Sequence, residues 1–291
     1  MKVAFIGMGT MGAPMAMHIL KAGFPLVVHN RTREREKPLA EKGAVRAASP
    51  REAATGADVV VTCVSDTPDV RAILLGEDGV LYGIETGAVV VDMSTISPAA
   101  TREIAAAISE KGVHMVDAPV SGGSEGAQKG TLSIMVGGDA EQVQRVRPVL
   151  ETMGKTITHI GPVGSGQLAK AINQIVIAGV YWGVAEGVAL GLKAGLDMEK
   201  VVQALSGGAA GSWVMDNRSN NMIENHYPLG FRLQLHRKDL VIGLEAAREL
   251  GVTLPVSALV EQAESGLIGR GYGDEDISAV ARALREASGI E

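Results

Sequence analysis

The chain has 291 residues, enough for one large or two smaller domains, and 46% of them are hydrophobic while 21% are charged. Its 27 Lys and Arg against 33 Asp and Glu give a formal charge of -6. Because no long basic run is present, neither nucleic acid nor an anionic membrane is expected as a partner. The single cysteine, Cys63, excludes an internal disulfide framework and suggests a cytoplasmic protein. It lies in the apolar segment DVVVTCV, which indicates a core residue rather than a nucleophile.

Short β-rich segments alternate with helical segments over about the first 160 residues. The β-rich segments are KVAFI, PLVVHN, DVVVTCV, AVVVDMS, HMVDAPV and TLSIMVGG. The helical segments between them are PMAMHILKAG, DVRAILLG, PAATREIAAAISEKG and AEQVQRVRPVLETMG. Unbroken Val and Ile runs are typical of parallel strands that are covered on both faces. The pattern therefore predicts an α/β fold with a doubly wound sheet.

From Gly164 onward the sequence carries helical periodicity with Gly or Pro stops and no convincing strand. We therefore predict two domains, one with the sheet over residues 1–163 and an all-helical one over residues 164–291. The helical part begins with a long, mostly apolar helix. If this helix runs to about Leu192, it is on the order of 40 Å long, more than a small helical domain covers. We expect it to contact the first domain or a second subunit, and we expect a homodimer or homotetramer.

Polar residues interrupt the apolar part of this long helix at Asn173, Gln174 and Glu186. No uninterrupted apolar run of about 18 residues remains, so a core or interface helix is predicted rather than a membrane span. The start of the chain lacks a long apolar region followed by a small-residue cleavage site, and we expect no targeting signal.

Two glycine-rich segments match dinucleotide-binding patterns, but only one has the required context. GMGTMG at residues 7–12 follows a predicted strand and opens a helix, with a second strand ending about 20 residues on. GSGQLA at residues 164–169 matches a looser form and has no strand after it. In the first loop Gly7 permits the turn, Gly9 lets a pyrophosphate approach the backbone, and Gly12 allows close packing. The predicted cofactor-binding loop comprises Gly7, Met8, Gly9, Thr10, Met11 and Gly12.

The second predicted strand ends at Asn30, where dinucleotide-binding folds place the residue that recognises the ribose. A carboxylate there would repel a 2′-phosphate, whereas a neutral amide followed by Arg31 and Thr32 favours NADP over NAD. In the alternative interpretation, Arg31 and Thr32 only begin the next helix.

Five segments carry a resemblance that spans nearly the whole chain. They are FIGMGTMGAPMA at 5–16, DMSTISP at 92–98, DAPVSGG at 117–123, GSGQLAKAINQ at 164–174 and GFRLQLHRKDL at 230–240. In this order they resemble the β-hydroxyacid dehydrogenases, which include 3-hydroxyisobutyrate dehydrogenases, tartronate semialdehyde reductases and glyoxylate/succinic semialdehyde reductases. The resemblance implies a Rossmann-type NAD(P)-binding domain that a long helix joins to an all-helical domain for substrate binding and oligomerisation.

The resemblance also implies roles for single residues. Lys170 is the implied catalytic acid and base, with Asn173 beside it. The implied substrate-binding residues are Ser121, Gly122 and Gly123 for the carboxylate, and Lys238 and Asp239 from the helical side. Further cofactor contacts are implied at Val64, Thr95 and Lys238, with Thr95 beside the nicotinamide.

Physical chemistry supports these roles and leaves alternatives. A loop that enters a helix offers free N–H groups to a carboxylate, and residues three apart on a helix share a face. Alternatively, Lys170 packs its stem and keeps its ammonium in water, and Ser121 only caps a helix. Lys238 and Asp239 equally suit a solvated helix face. Ser212 and Trp213 are candidates for shaping the substrate pocket, although a core role for the tryptophan is equally plausible.

The expected reaction is reversible hydride transfer between NADP(H), with NAD possible, and a short semialdehyde or its β-hydroxyacid. The candidate substrates are 2-hydroxy-3-oxopropionate, 3-hydroxyisobutyrate, succinic semialdehyde and glyoxylate, among which the sequence does not choose. The alternatives are an imine reductase and a catalytically inactive binding protein on the same fold. Lys170 favours an oxygen substrate, and its presence together with DAPVSGG argues against an inactive protein. The six histidines show no metal-binding spacing, so no metal is expected.

Overall fold

The computed structural model describes residues 1–290. Within it the chain forms two compact units, Met1–Lys170 and a second unit that begins at Ala171. The predicted boundary after residue 163 stays a prediction, because the division between the compact units falls inside one continuous helix.

The first unit is built on one sheet of nine strands. The strands are β1 (Val3–Ile6), β2 (Leu26–His29), β3 (Val45–Arg46), β4 (Val59–Thr62), β5 (Val89–Asp92), β6 (His114–Asp117), β7 (Val120–Ser121), β8 (Leu132–Gly137) and β9 (Gly154–Gly161). Their spatial order is β3-β2-β1-β4-β5-β6-β8-β7, and β9 pairs with β8. Strands β1 to β6 are mutually parallel, which confirms the predicted doubly wound sheet.

The far edge of the sheet differs from the simple parallel pattern. TLSIMVGG forms β8, but β8 runs antiparallel to β6 and β7 because an apolar run carries no information on strand direction. Strand β9 was not predicted and pairs with β8 in parallel. Most of its residues are exposed, so it lacks the apolar run by which the buried strands are recognised.

Seven helices accompany the sheet. They are α1 (Gly12–Lys21), α2 (Lys37–Ala40), α3 (Pro50–Ala54), α4 (Thr67–Leu75), α5 (Pro98–Ser109), α6 (Gly123–Lys129) and α7 (Ala140–Leu150). Side chains cap several of them at their first turn, as Asp66 does for α4 and Asp139 for α7. Helices α2, α3 and α6 were not predicted, because four to seven residues are too few to show helical periodicity.

Alternate residues of the central strands pack into two separate apolar clusters. Val59 and Val61 of β4 belong to the cluster that contains Phe5, whereas Val60 belongs to the cluster that contains Ile6. All five side chains are fully or almost fully buried. Both faces of the sheet are therefore covered, which is why these strands read as unbroken apolar runs.

The second unit is helical. Its helices are the greater part of α8 (Ser165–Lys193), and α9 (Met198–Ser206), α10 (Trp213–Glu224), α11 (Leu233–Leu250), α12 (Pro255–Gly269) and α13 (Val280–Ala287). Over residues 171–290 the only β pairing is an isolated bridge between Arg232 and Asp276. An apolar cluster that includes Tyr181, Met222 and Leu267 forms its core. The predicted fold class, a Rossmann-type sheet domain followed by an all-helical one, is confirmed.

Helix α8 contains 29 residues and is about 43 Å long at 1.5 Å per residue. By length and hydropathy alone it could cross a membrane, and 39% of its most apolar 18-residue window is buried inside the protein. The core helix of a soluble protein passes the same test, so this property does not distinguish the two environments.

Candidate functional site

The glycine-rich loop joins β1 to α1 with the geometry expected of a phosphate-binding turn. Gly7 has a φ of 107°, and a Cβ there would collide with the carbonyl oxygen of Cys63. A Cβ on Gly12 would likewise collide with the carbonyl of Gly7, whereas one on Gly9 would meet no atom within 4 Å. The first turn of α1 carries no acidic residue. The backbone at Gly9 therefore suits the close approach of a pyrophosphate to a helix N-terminus.

Asn30 lies at the end of β2 and is hydrogen-bonded to the glycine-rich loop. Its Oδ1 accepts the backbone N–H of Met8 at 2.8 Å, and its Nδ2 donates to the carbonyl oxygen of Thr32 at 2.8 Å. The side chain of Arg31 is 93% exposed, and its nearest acidic partner is Asp69 at 3.8 Å. Thr32 is the N-cap residue of a short 3₁₀ turn, but its side chain makes no capping hydrogen bond.

A buried carboxylate, Glu36, lies just beyond these residues. It accepts the backbone N–H of Asn30 at 2.7 Å and forms ion pairs with Arg33 at 3.2 Å and Arg46 at 2.7 Å. Two guanidinium groups therefore compensate its charge beside the end of β2.

The ends of β4 and β5 continue the same edge of the sheet. Val64 lies next to Gly7, and its backbone N–H donates to the Ser94 hydroxyl at 2.9 Å. Thr95 follows Ser94 directly. Three predicted cofactor positions, Gly7, Val64 and Thr95, are thus linked through two contacts at the carboxyl ends of parallel strands, where such folds bind dinucleotides.

The segment VSGG forms a sharp turn from β7 into α6. Gly122 and Gly123 have φ values of 130° and 62°, which residues other than glycine rarely adopt. Gly122, which has no side chain, is the N-cap residue of α6, and Glu125 lies in the first turn of this helix. Ser121 is therefore not the helix cap of the alternative interpretation. The backbone N–H groups at the start of a helix suit a small anion such as a carboxylate.

Lys170 lies in the second turn of α8 and is buried, with 8% of its surface exposed. A lysine whose ammonium extends into open water would be far more exposed. Two residues that the sequence did not single out, Asp117 and Gln167, hold the preceding turn of this helix.

Two buried carboxylates lie at the ends of neighbouring strands, Asp92 on β5 and Asp117 on β6. Burial raises the pKa of Asp92 to about 6, although Ser94 and Thr62 donate hydrogen bonds to it. Burial also raises the pKa of Asp117, against hydrogen bonds from the backbone of Gly164 and Gln167. The pKa of Cys63 is raised to about 12 by burial and by Asp92, which agrees with a core role for this cysteine.

In the second unit, a row of two hydrogen bonds and one ion pair connects Asn173 on α8 to Asp239 and Lys238 on α11, for which the resemblance implies site roles. Asn173 donates to the side chain of Gln174 at 2.7 Å, and Gln174 donates to Asp239 at 2.7 Å. Lys238 forms an ion pair with Asp239 at 3.0 Å. Asp239 is 4% exposed, so it does not belong to a solvated helix face.

A buried pair, His236 on α11 and Glu264 on α12, lies next to this row. His236 Nδ1 and Glu264 Oε1 are 2.6 Å apart with both side chains fully buried, and burial raises the pKa of Glu264. His236 Nε2 lies 3.4 Å from the carbonyl oxygen of Gln174, so the pair contacts the backbone of α8.

The remaining candidates are Ser212 and Trp213 at the start of α10. Ser212 caps the helix by accepting the N–H of Met215 at 3.1 Å. Trp213 is 56% exposed with the Arg218 guanidinium 4.7 Å from its ring centre, which makes a core role for the tryptophan wrong. Among residues 1–290, no group of three or more His, Cys, Asp and Glu side chains is placed to hold a metal ion.

Comparisons with known proteins identify the family. A family model described as the NAD binding domain of 6-phosphogluconate dehydrogenase matches residues 2–161. A second, described as NAD-binding of NADP-dependent 3-hydroxyisobutyrate dehydrogenase, matches residues 164–284. Together the two models span almost the whole chain.

Relatives and solved structures agree with these models. The 2-hydroxy-3-oxopropionate reductase of Escherichia coli K12 is 40% identical over 288 residues, covering 98% of this chain and 97% of that protein. The NAD-dependent L-serine dehydrogenase of Pseudomonas aeruginosa is 39% identical over 295 aligned residues, covering 99% of both. The structure of Mycobacterium tuberculosis 3-hydroxyisobutyrate dehydrogenase with L-serine has a TM-score of 0.89 and 32% identity, covering 98% of this chain and 99% of that one.

These matches extend over both units and agree with the glycine-rich loop and with the five segments that carry the resemblance. The chain therefore belongs to the β-hydroxyacid dehydrogenase family and is an NAD(P)-dependent hydroxyacid dehydrogenase.

Proposed function

We propose that the protein interconverts a 3-oxopropanoate and the matching 3-hydroxypropanoate with NADP(H), and that Lys170 is the proton donor and acceptor. The observation that carries this proposal is the burial of Lys170 on α8, in the same compact unit as the glycine-rich loop and the Ser121–Gly123 turn.

The substrate class follows from what the relatives' substrates have in common. L-serine, 3-hydroxyisobutyrate and the alcohol form of 2-hydroxy-3-oxopropionate are all 3-hydroxypropanoates that differ in the group on carbon 2. Each has a primary alcohol two carbons from a carboxylate. We therefore favour 2-hydroxy-3-oxopropionate or the 3-hydroxyisobutyrate couple over succinic semialdehyde and glyoxylate, in which the aldehyde lies at another distance from the carboxylate.

The turn at Ser121, Gly122 and Gly123 is proposed to hold that carboxylate. Its N-cap residue, Gly122, is a glycine, and the positive end of a short helix dipole follows it. Binding the carboxylate there leaves carbon 3 of the substrate at a fixed distance from the turn, which would select the β position for reaction.

Lys170 is proposed to donate a proton to the substrate oxygen in reduction and to remove it in oxidation. When bound, the nicotinamide supplies the hydride in reduction and accepts it in oxidation. As negative charge develops on the substrate oxygen, the ammonium of Lys170 stabilises that charge and then donates its proton to the oxygen. In the reverse direction the neutral amine removes the proton of the alcohol. Asn173, three residues further along α8, is proposed to hold the same oxygen by a hydrogen bond.

Lys238 and Asp239 are proposed to bind substrate and cofactor from the helical unit. Their ion pair at 3.0 Å and the hydrogen bond from Gln174 to Asp239 fix the orientation of both side chains. A lysine ammonium in this arrangement suits an anionic group of the substrate or of the cofactor.

NADP is the proposed cofactor, although the relatives include both NADP-dependent and NAD-dependent enzymes. Position 30 is an asparagine, and the nearby Glu36 is buried and paired with two arginines, so neither repels a 2′-phosphate. The exposed guanidinium of Arg31 is held only by a 3.8 Å contact with Asp69 and can turn to a phosphate.

A panel assay tests this proposal. The purified protein is given 2-hydroxy-3-oxopropionate, 2-methyl-3-oxopropanoate, succinic semialdehyde and glyoxylate with NADPH or NADH, and kcat/KM is measured from nicotinamide absorbance. We expect the two 3-oxopropanoates to exceed the other aldehydes by at least about tenfold with NADPH, since a misplaced reacting group typically lowers the rate by that factor or more. A preference for glyoxylate or succinic semialdehyde would contradict the proposed substrate class.

A further inference from the structure

Gln167 lies on α8 one turn before Lys170, on the same face of the helix, and is 1% exposed. Its side-chain Nε2 donates to the carbonyl oxygen of Ser94 at 2.8 Å. Its Oε1 accepts the backbone N–H of Ile96 at 3.1 Å. The residue between Ser94 and Ile96 is Thr95, so one amide group binds the backbone on both sides of the residue assigned to the nicotinamide.

Asp117 holds the same turn of α8 from the other direction. Its carboxylate oxygens accept the backbone N–H groups of Gly164 at 2.7 Å and Gln167 at 2.8 Å. These are two of the N–H groups that the start of a helix leaves without intrahelical partners. Asp117 begins the segment DAPVSGG, whose last three residues form the carboxylate turn.

The packing around these bonds leaves little freedom. A Cβ on Gly166 would lie 2.5 Å from the carbonyl oxygen of Met135 and 2.8 Å from that of Asp117. Helix α8 therefore approaches the strand backbone at a distance that only glycine permits. A small shift of this turn would move Lys170, because the helix is rigid over one turn.

We propose that Gln167 is a positioning residue that sets where the Lys170 ammonium lies relative to Thr95, with Asp117 fixing the same turn relative to the carboxylate turn. The inference rests on the proposed function, in which these three places bind the reacting oxygen, the nicotinamide and the carboxylate. It assigns a role to a position that the motif G-x-G-x-x-x-K leaves undefined.

The main test replaces Gln167 by a residue of similar length that makes neither hydrogen bond. For Gln167→Met we expect kcat to fall about 10- to 100-fold while the KM values for NADPH and substrate change less than about threefold, because misplaced reacting groups slow chemistry more than binding. The matched control is Leu150→Ala, which opens a cavity in the other buried apolar cluster of the same unit, the one that does not contain Ile96. We expect it to lower Tm by a comparable amount and to keep wild-type kcat well below its Tm.

A second variant, Gln167→Glu, adds a readout that a purely structural role would not produce. A protonated glutamic acid can donate to Ser94 and accept from Ile96 as the amide does, whereas the carboxylate would oppose the Ser94 carbonyl oxygen. The charged or titratable groups around this turn are Asp92 at the end of β5, Asp117 on β6, Cys63 after β4, Arg102 on α5 and Lys170 itself. Burial beside two carboxylates favours the protonated form. We therefore expect kcat of this variant relative to wild type to fall as pH rises.

The experiments distinguish a failure of this inference from a failure of the proposed function on which it rests. Wild-type kcat in Gln167→Met, or a Gln167→Glu rate that is low at every pH, would overturn the positioning role. If Gln167→Met fails to fold, the pH profile of Gln167→Glu decides. Wild-type kcat in Lys170→Ala would instead overturn the proposed function, whatever the Gln167 variants show.

Discussion

The Oδ1 atom of Asn30 accepts the backbone N–H of Met8 at 2.8 Å and so joins the end of β2 to the glycine-rich loop after β1. The other side-chain atom of the amide, Nδ2, donates to the carbonyl of Thr32. Asn30 therefore holds the backbone of the glycine-rich loop, which is proposed to bind the cofactor.

Asn30→Ala should weaken NADPH and NADH binding by a similar factor, because the lost hydrogen bond supports a loop that both cofactors share. A neutral hydrogen bond contributes about 0.5–1.5 kcal/mol, so the expected increase in Kd is roughly two- to tenfold. Fluorescence titration of both cofactors measures this increase. A loss confined to NADPH would show that Asn30 distinguishes the 2′-phosphate.

Arg31→Ala should raise KM for NADPH far more than for NADH. A charge-assisted contact to a phosphate contributes about 1.5–3 kcal/mol, which corresponds to roughly a ten- to hundredfold change. Steady-state kinetics with each cofactor at saturating substrate provide the comparison, and Arg35→Ala, another arginine of the same segment, is the control. Equal effects of Arg31→Ala on the two cofactors would mean that Arg31 does not bind the 2′-phosphate.

Asp92 should make the free energy of unfolding fall as pH rises through the acid range. Burial raises its pKa from 3.8 to about 6, so between these values the folded state holds a proton that the unfolded state has lost. The stabilisation is complete below about pH 4 and is lost by about pH 6. Two units of pKa correspond to roughly 2–3 kcal/mol.

The variant Asp92→Asn cannot titrate and isolates this contribution. Its free energy of unfolding minus that of wild type, from urea titrations, should rise between pH 4 and pH 6 and stay level above. A difference that is constant across this range would show that Asp92 has an ordinary pKa in the folded protein.

A homo-oligomer is expected because one side of α8 presents apolar surface. Ile172, Val176 and Leu190 are between 55% and 74% exposed, and a Cβ on Gly183 or Gly187 would meet no atom within 4 Å. Val176→Lys should shift the protein toward monomer in size-exclusion chromatography with light scattering. The control Val45→Lys alters an equally exposed valine on β3 and should leave the mass unchanged. A wild-type monomer at micromolar concentration would contradict the expectation.

The sequence predicts those parts of the fold that depend on local pattern. Val and Ile runs reveal β1, β2, β4, β5 and β6, and the strand, glycine and helix context predicts where the cofactor loop lies. Strand β9 and the short helix α6 are missed, because an exposed strand and a seven-residue helix leave no apolar periodicity.

The residues of the candidate site also differ in whether the sequence can predict them. Lys170 and the Ser121–Gly123 turn are predicted through the resemblance of their segments to the family. The roles of Asp117 and Gln167 depend on contacts between residues 47 to 73 positions apart in the chain, which no spacing rule encodes. The exposure of Trp213 and the burial of Asp239 likewise depend on how helices pack.

The most direct test of the account is kcat for Lys170→Arg and Lys170→Ala, measured beside the Kd for NADPH. Arginine keeps the positive charge but cannot give up its proton at working pH, so both variants should lower kcat by about 10² to 10⁴ while NADPH binding changes little. Near wild-type kcat in Lys170→Arg would show that the residue only stabilises charge, and near wild-type kcat in Lys170→Ala would contradict any catalytic role for Lys170.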